Sequence, residues 1–241
     1  MSRTWLIILV GTIAAAADGI GGLILVRRSW ASSSLRYFVA VSAGFMMAMI
    51  CLEMIPESFR SSGPIAAGLI LTGFSLVHLL EHTITPHFHF GEETHKDAFI
   101  KRHTSMSIML GLSVHTLFDG VAIASGFVIS SALGWLIFVG IVLHKMPEGF
   151  TAASVMLASG HSRRAALWGS LFLGATTLAG VLVVSSIHSL VRFGLPLSAG
   201  VTLYVAATDL VPEINREPGV RTALVFFVGV AFFALLRFFA G

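Results

Sequence analysis

The sequence predicts an all-α integral membrane protein with eight transmembrane helices, because of its composition and the length of its apolar runs. Of its 241 residues, 56% are hydrophobic and 11% are charged, whereas a soluble domain carries about 25% charged residues. The mean hydropathy is +0.89. The apolar runs are long enough to cross the roughly 30 Å hydrocarbon core of a bilayer. Lipid is therefore the solvent expected for most of the chain.

Charge and cysteine content exclude several other classes of protein. The 15 Lys and Arg only slightly outnumber the 12 Asp and Glu, and most of these basic residues lie between apolar runs, which argues against nucleic acid as a partner. The single cysteine, Cys51, can form neither an internal disulfide nor a cysteine zinc cluster. The first apolar run can span a bilayer and lacks a small-residue cleavage site, so we expect no cleavable signal peptide.

Eight predicted helices follow one another, most of them with short connections. Each reaches or approaches the roughly 20 residues that a span requires, and helix seven is the short one. The predicted ranges are 5–26, 36–59, 64–84, 104–129, 133–158, 165–190, 195–213 and 220–240. Together they predict a single domain over residues 1–241.

Basic residues between the spans predict the orientation of the chain. Eight spans place both termini on one side of the membrane. Loops after helices one, three, five and seven contain Arg27, Arg28, Arg36, Lys96, Lys101, Arg102, Arg163, Arg164, Arg216 and Arg221. The opposite side has Arg3, Arg60, Arg192 and Arg237. The positive-inside rule then puts both termini on the non-cytoplasmic side and the loop at about 85–103 in the cytoplasm. The excess of Arg over Lys and the compact loops favour a plasma (cell inner) membrane of a bacterium.

A motif shared by two helix ends predicts an inverted repeat. Helix two ends in Glu53, two apolar residues, Pro56 and Glu57, and helix seven ends in Asp209, two apolar residues, Pro212 and Glu213. In the predicted topology these helices run in opposite directions. A 3+2+3 arrangement follows, in which helices 1–3 repeat as helices 6–8 around a central pair, as is common in transporters. The alternative is chance similarity, since Pro and Glu are ordinary at helix ends.

Two histidine–carboxylate pairs lie inside the central helices. His115 and Asp119 stand four residues apart in helix four, as do His144 and Glu148 in helix five, so each pair shares a helix face. Counted from a turn near Ser131 at 1.5 Å per residue, His115 is level with Glu148, and Asp119 with His144. Imidazole and carboxylate suit zinc and other divalent first-row ions. The alternative is a buried structural network of polar pairs.

Two further polar features in the helices leave alternatives open. Pro147 frees the carbonyl of Leu143, which could bind a metal ion or simply let the helix bend. Asp18 lies deep in helix one beside small residues, where it could guide ions or hydrogen-bond a neighbouring helix.

The central segments resemble those of the ZIP (Zrt/Irt-like) family of metal transporters. The segments that carry the resemblance are His115-Thr116-Leu-Phe-Asp119-Gly120, His144-Lys145-Met-Pro147-Glu148-Gly149, Ala43-Gly44-Phe45-Met46, Pro56-Glu57 and Tyr204-Val-Ala-Ala-Thr-Asp209-Leu-Val-Pro212-Glu213. The resemblance implies uptake of Zn²⁺ toward the cytoplasm by alternating access, with Fe²⁺, Mn²⁺ or Cd²⁺ as other substrates and no cofactor. It also implies a transport unit of helices one, four, five and six, and a scaffold of the other four that supports a homodimer.

The resemblance also assigns residues to the metal. The implied ligands are His115, Asp119, His144 and Glu148, with Met46 as a further thioether ligand; the alternative for Met46 is packing. Two-metal members carry Asn and an acidic residue where this chain has Thr116 and Lys145. A protonated lysine repels cations, so we expect one metal site, with the Lys145 ammonium as the charge substitute for the second metal; otherwise Lys145 is neutral or turned away.

The loop between helices three and four is rich in histidine. His87, His89 and His95 predict weak, transient binding of metal ions, and a polar loop with chance histidines is the alternative. Two other functions compete with transport: a membrane-embedded zinc metalloenzyme, such as a hydrolase, and a haem protein with His115 and His144 as axial ligands. The absence of an HExxH motif argues against the hydrolase, so we expect no enzyme.

Overall fold

A computed structural model describes residues 2–27, 32–83, 102–215 and 220–240. In these ranges the regular secondary structure is all helical, and eight helices are long and apolar enough to cross a membrane, which confirms the predicted class. They are α1 (Arg3–Arg27), α2, α3 (Ile65–Thr83), α4 (Arg102–Ile129), α5 (Ser131–Ala158), α6 (Arg163–Ser186), α7 and α8 (Val220–Ala240). Helix α2 comprises Ser32–Met49, Ile50–Met54 and Ile55–Ser62, and α7 comprises Val191–Tyr204, Val205–Leu210 and Val211–Asn215.

The boundary between α6 and α7 lies earlier than predicted. Helix α6 ends at Ser186, because Ile187 leaves the helical region with φ −131° and ψ 79°. A short turn follows, and α7 then runs through Pro196. Pro196 cannot bond to the carbonyl of Arg192, and the Ser62 hydroxyl at the end of α2 donates to that oxygen at 2.5 Å. The seventh span is therefore longer than the predicted 195–213, whereas the other helix ends lie within about one turn of prediction.

The middle segments of α2 and α7 are π-helical turns. Each turn ends two residues before a proline of the shared motif, Pro56 or Pro212. A wider π turn lets the helix continue past a residue that cannot donate the regular hydrogen bond, and Pro56 accordingly stands in the first turn of the next α-helical segment. Glu53 and Asp209 lie in these two turns, so both copies of the motif take the same unusual local structure.

The eight helices form two groups according to their contacts. Helices α1 and α4 each pack against both α5 and α6. Helix α8 packs against α2, and α3 packs against α7, while α2 and α7 contact each other. The two groups meet mainly along α2–α5 and α4–α7. We call α1, α4, α5 and α6 the central unit, and α2, α3, α7 and α8 the flanking unit.

Glycine pairs bring helix backbones into direct contact inside each unit. The pairs are Gly21–Gly149 (α1–α5), Gly120–Gly180 (α4–α6), Gly44–Gly229 (α2–α8) and Gly73–Gly200 (α3–α7). In every pair, a Cβ on one glycine would overlap the carbonyl oxygen three residues before the other glycine. Only glycine permits so close a crossing, as is usual where membrane helices associate through small residues.

The glycine pairs also display the inverted repeat. Gly44 and Gly73 precede Gly200 and Gly229 by the same number of residues that separates Glu53 from Asp209. The α2–α8 crossing thus corresponds to α7–α3, and the α1–α5 crossing to α6–α4. Helices α1–α3 therefore repeat as α6–α8, and α4 matches α5, in the 3+2+3 arrangement that the sequence predicts.

Candidate metal centre

The two histidine–carboxylate pairs meet between α4 and α5. His115 and Asp119 precede Gly120 by the same spacing at which His144 and Glu148 precede Gly149. Because these glycines occupy equivalent crossings with α6 and α1, the two pairs are equivalent positions of the repeat. All four side chains are buried. Each offers one ligand atom to a group in which the atoms lie within 4.8 Å of one another.

Asp119 lies between the two histidines. Its Oδ2 is 3.2 Å from His144 Nε2 and 3.4 Å from His115 Nε2, and the imidazole centroids are 5.5 Å apart. His144 thus faces Asp119, as the depth count predicts. Since both imidazoles point at one carboxylate oxygen, an ion placed among these atoms could be bound by three residues at once.

Hydrogen bonding leaves ligand atoms free on several of these residues. Both ring nitrogens of His115, Oδ1 of Asp119 and Oε1 of Glu148 have no hydrogen-bond partner among the described residues. Buried polar atoms of proteins normally have partners, because leaving one unpaired costs about 1–3 kcal/mol. Such unpaired atoms around a common point are what a metal site requires before its ion binds.

The hydrogen bond of His144 fixes which ring nitrogen faces the centre. Its Nδ1 lies 3.1 Å from the carbonyl of Gly140, and a carbonyl can only accept, so Nδ1 donates. Nε2 is then the nitrogen that faces Asp119, 3.2 Å from Oδ2, and it is the ring atom within reach of an ion at the centre. Backbone carbonyls commonly orient metal-binding histidines in this way.

Lys145 enters the centre from α5 and contacts three carboxylates. Its Nζ lies 2.7 Å from Glu148 Oε2, 2.9 Å from Asp119 Oδ2 and 3.6 Å from Asp18 Oδ2. All four residues are 0% exposed, so the ammonium is not turned toward the membrane surface. Asp18 is the contributor that the sequence did not assign to the site. The signal was present, since a lysine and three carboxylates at membrane depth require mutual pairing.

The position of Lys145 has a counterpart in α4. Thr116 occupies the equivalent position there, and its hydroxyl is hydrogen-bonded to that of Thr176 in α6. Thr177, equivalent to Asp18, donates to its own helix at Leu173. At these two positions the repeat is therefore charged on the α1–α5 side, with Asp18 and Lys145, and uncharged on the α4–α6 side, with Thr177 and Thr116.

The carbonyl freed by Pro147 has a partner in the flanking unit. The hydroxyl of Ser42 in α2 lies 2.8 Å from the Leu143 oxygen and can donate to it. This contact favours the structural alternative for the proline, a helix irregularity whose freed carbonyl is satisfied by a neighbouring helix.

The remaining predicted residues lie at different places. Met46 is fully buried in the hydrophobic core beside Phe45, whose ring lies near Gly140 of α5. His87, His89 and His95 lie outside the described residues, so their metal binding stays a prediction. Near the end of α3, Glu81 accepts a hydrogen bond of 2.8 Å from Tyr204 of α7, which ties these two helices together.

The geometry argues against haem at this centre. A porphyrin would have to lie between His115 and His144, where the Asp119 carboxylate contacts both rings. The donor set of two imidazoles and two carboxylates instead suits a single divalent transition metal ion.

Comparisons with known proteins point the same way. Residues 91–237 match the family model described as ZIP Zinc transporter. The zinc transporter YKE4 of Saccharomyces cerevisiae is 24% identical over 216 residues, covering 76% of this chain and 62% of its own length. The zinc transporter GufA of Myxococcus xanthus is 27% identical over 224 residues, covering 85% of this chain and 86% of its own. The zinc transporter ZIP13 of Pongo abelii is 23% identical over 234 residues, covering 89% and 71%.

These relatives are named as transporters and not as enzymes, which confirms the prediction that the chain is no enzyme. The family model alone covers more than half of the chain, and its match includes both halves of the α4–α5 centre. The chain therefore belongs to the ZIP zinc transporter family.

Proposed function

We propose that the protein carries Zn²⁺ across the membrane toward the cytoplasm, with the ion held by His115, Asp119, His144 and Glu148. The observation that carries this proposal is the convergence of four buried ligand atoms within 4.8 Å at the meeting of two membrane-spanning helices. The names of the relatives favour zinc as the substrate. Fe²⁺, Mn²⁺ and Cd²⁺ accept similar ligands and are the other candidate substrates.

Met46 is proposed as a further ligand from α2. A thioether is a soft ligand, so it would favour Zn²⁺ and Cd²⁺ over Mg²⁺ or Ca²⁺. Replacing Met46 by Leu keeps the packing volume. It should weaken Cd²⁺ binding more than Mn²⁺ binding, and equal effects on the two ions would leave Met46 a packing residue.

Lys145 is proposed as the charge substitute for a second metal ion. Its ammonium contacts Asp119 and Glu148, the carboxylates that two ions would otherwise share. A positive charge so close to the site leaves room for one divalent ion and weakens the hold on it. Release should therefore be faster than from a site that lacks the lysine.

Alternating access is supported by a difference between the two boundaries of the units. Ser42 of α2 and Ser198 of α7 are equivalent positions of the repeat. The Ser42 hydroxyl contacts the carbonyl of Leu143, equivalent to Val114, whereas that of Ser198 donates to the carbonyl of Phe118 at 2.9 Å. The two boundaries are thus out of register by one helical turn, about 5.4 Å. Sliding the central unit by that distance would exchange the two arrangements and open the site to the other side.

Orientation and assembly complete the proposal. Both termini would lie on the non-cytoplasmic side of the plasma (cell inner) membrane, with the loop at about 85–103 in the cytoplasm. Labelling that loop in sealed vesicles of known orientation checks this.

The protein would form a homodimer through the flanking unit, whose α3 and α8 are the least buried spans. Light scattering in detergent distinguishes one copy from two.

Zinc flux into proteoliposomes tests the transport function. The native chain should accumulate Zn²⁺, and His144→Ala should lose most of that flux, because it removes one of four ligands and the bond to Gly140. His188→Ala is the matched control, since His188 is exposed in the turn before α7. Native vesicles that take up no more Zn²⁺ than empty ones would refute the proposal.

A further inference from the structure

Asp18 is a buried carboxylate whose pairing within the described part of the chain is incomplete. Its side chain is 0% exposed, and neither oxygen has a hydrogen-bond partner among the described residues. The only ion pair found for it in that part of the chain is with Lys145, at 3.6 Å. A charged group in hydrocarbon is costly unless it is paired, so this long contact is incomplete pairing for a carboxylate at membrane depth.

Lys145 is shared unequally among its three carboxylates. Its ammonium lies within 2.9 Å of Asp119 and Glu148, the two carboxylates of the proposed metal site, and farther from Asp18. A divalent ion bound to Asp119 and Glu148 would repel the ammonium from those oxygens. Asp18 is then the carboxylate that remains within reach.

The net charge of this group also points to Asp18 as the partner of Lys145 in the loaded site. Three carboxylates and one ammonium leave the group with two negative charges, if both histidines are neutral ligands. One divalent ion cancels that charge completely. Without Asp18, the loaded group would carry one positive charge in a low-dielectric interior, where an unpaired charge is strongly unfavourable.

We infer that Asp18 is a positioning residue for transport: it receives the Lys145 ammonium when the metal ion displaces it from Asp119 and Glu148. The inference rests on the proposed function, because it requires a divalent ion at this site. Lysine then occupies the carboxylates when the site is empty and moves to Asp18 when the site is loaded. This exchange keeps the buried charge small, and it makes the ammonium available to drive the ion out again.

Zn²⁺ binding to the purified full chain in detergent tests this exchange through a set of charge variants. Asp18→Asn should weaken Zn²⁺ binding by about tenfold or more, because the displaced ammonium has no acceptor. Lys145→Met should tighten binding. The double variant Asp18→Asn/Lys145→Met restores charge balance in the loaded state, so its affinity should return to within about threefold of the native value. A merely structural role for Asp18 predicts no such recovery.

Thr177→Val provides the matched control at the equivalent position on α6 and should bind Zn²⁺ like the native chain. If Asp18→Asn is poorly folded, Lys145→Met and the double variant still decide between the two roles. Native-like binding by Asp18→Asn, or a double variant no better than Asp18→Asn, would overturn the inference while leaving the transport proposal intact. Failure of the native chain itself to bind Zn²⁺ would remove both.

Discussion

The Ser42 hydroxyl lies near two carbonyls, that of Phe38 in its own helix at 2.9 Å and that of Leu143 in α5 at 2.8 Å. Proline in α5 leaves the Leu143 oxygen without its helical partner, and Ser42 lies 2.8 Å away on the neighbouring unit. Leu143 directly precedes His144, so this contact sets the helix path at a proposed ligand.

We expect Ser42→Ala to destabilise the protein by about 1–3 kcal/mol, because it leaves a buried acceptor unpaired. Ser58→Ala is the control, since Ser58 is equally buried but donates only to Met54 of its own helix. Thermal unfolding in detergent compares the two. Equal melting temperatures for both variants would show that Leu143 does not depend on Ser42.

At this scale the sequence predicted that the four residues of the proposed metal site would meet, but not all of their partners. Spacing alone placed His144 opposite Asp119, because two antiparallel helices joined by a tight turn have a fixed register. It did not place Asp18, because a single sequence does not say which helix α1 contacts. Nor did it show whether the carbonyl freed by Pro147 binds a metal ion or only lets the helix bend, because that depends on Ser42 in a distant segment.

Helix crossings in this protein depend on glycine where backbones touch and not elsewhere. On α3, a Cβ at Gly73 would overlap the Leu197 carbonyl of α7, whereas nothing lies within 4 Å of a Cβ at Gly68. Comparing alanine variants at these two positions of one helix therefore distinguishes the packing role of glycine from its effect on helix propensity.

Gly73→Ala should lower stability by about 1–3 kcal/mol, because α3 and α7 must move apart. Gly68→Ala should leave it unchanged or raise it slightly, since alanine favours the helix by up to about 1 kcal/mol over glycine. The melting temperatures of the two variants in detergent measure the difference. A destabilised Gly68→Ala, or an unchanged Gly73→Ala, would contradict the assigned crossing.

The elements themselves were largely predictable from hydropathy, because each span must satisfy its own backbone hydrogen bonds in lipid. The exceptions involve proline. Helix seven was predicted to begin beside Pro196, but Ser62 satisfies the freed Arg192 carbonyl and the helix begins earlier. The shared motif correctly indicated that Pro56 and Pro212 are equivalent positions of the repeat. It did not predict the π turns, because these depend on how each helix accommodates its proline and not on composition.

At the scale of the whole molecule, the described helices form two groups that differ in how they pack internally and against each other. Backbone contacts at the four glycine pairs lie within a unit, whereas across the boundary Gly194 of α7 meets the side chains of Val121 and Ser125 in α4. Side chains can change neighbours as helices slide, while interlocked backbones cannot. The division therefore supports movement of one unit along the other.

A disulfide across this boundary should stop transport. A Cβ built at Gly194 lies 3.3 Å from the Ser125 Oγ. Gly194→Cys with Ser125→Cys therefore brings two thiols close enough for a disulfide, and a Cys51→Ser background removes the native thiol. Oxidation should abolish Zn²⁺ flux in proteoliposomes, and a reductant should restore it. The cross-link would hold the two units in one register.

The control is a disulfide inside the central unit. A Cβ at Gly11 would lie 3.2 Å from that of Val181, close to the separation across a disulfide, so Gly11→Cys with Val181→Cys joins α1 to α6. Flux should survive oxidation of this pair. Undiminished flux through the oxidised boundary pair would exclude sliding of the units.

The separation of Asp18 from Lys145 along the chain has a consequence for biosynthesis. Helix α1 enters the membrane with its carboxyl group, and the lysine that pairs with it is synthesised more than half the chain later. An ionised carboxylate is unfavourable in lipid. We therefore expect α1 to stay beside the insertion machinery, or its Asp18 carboxyl to stay protonated, until α5 arrives. The first span would thus be among the last to reach its final place.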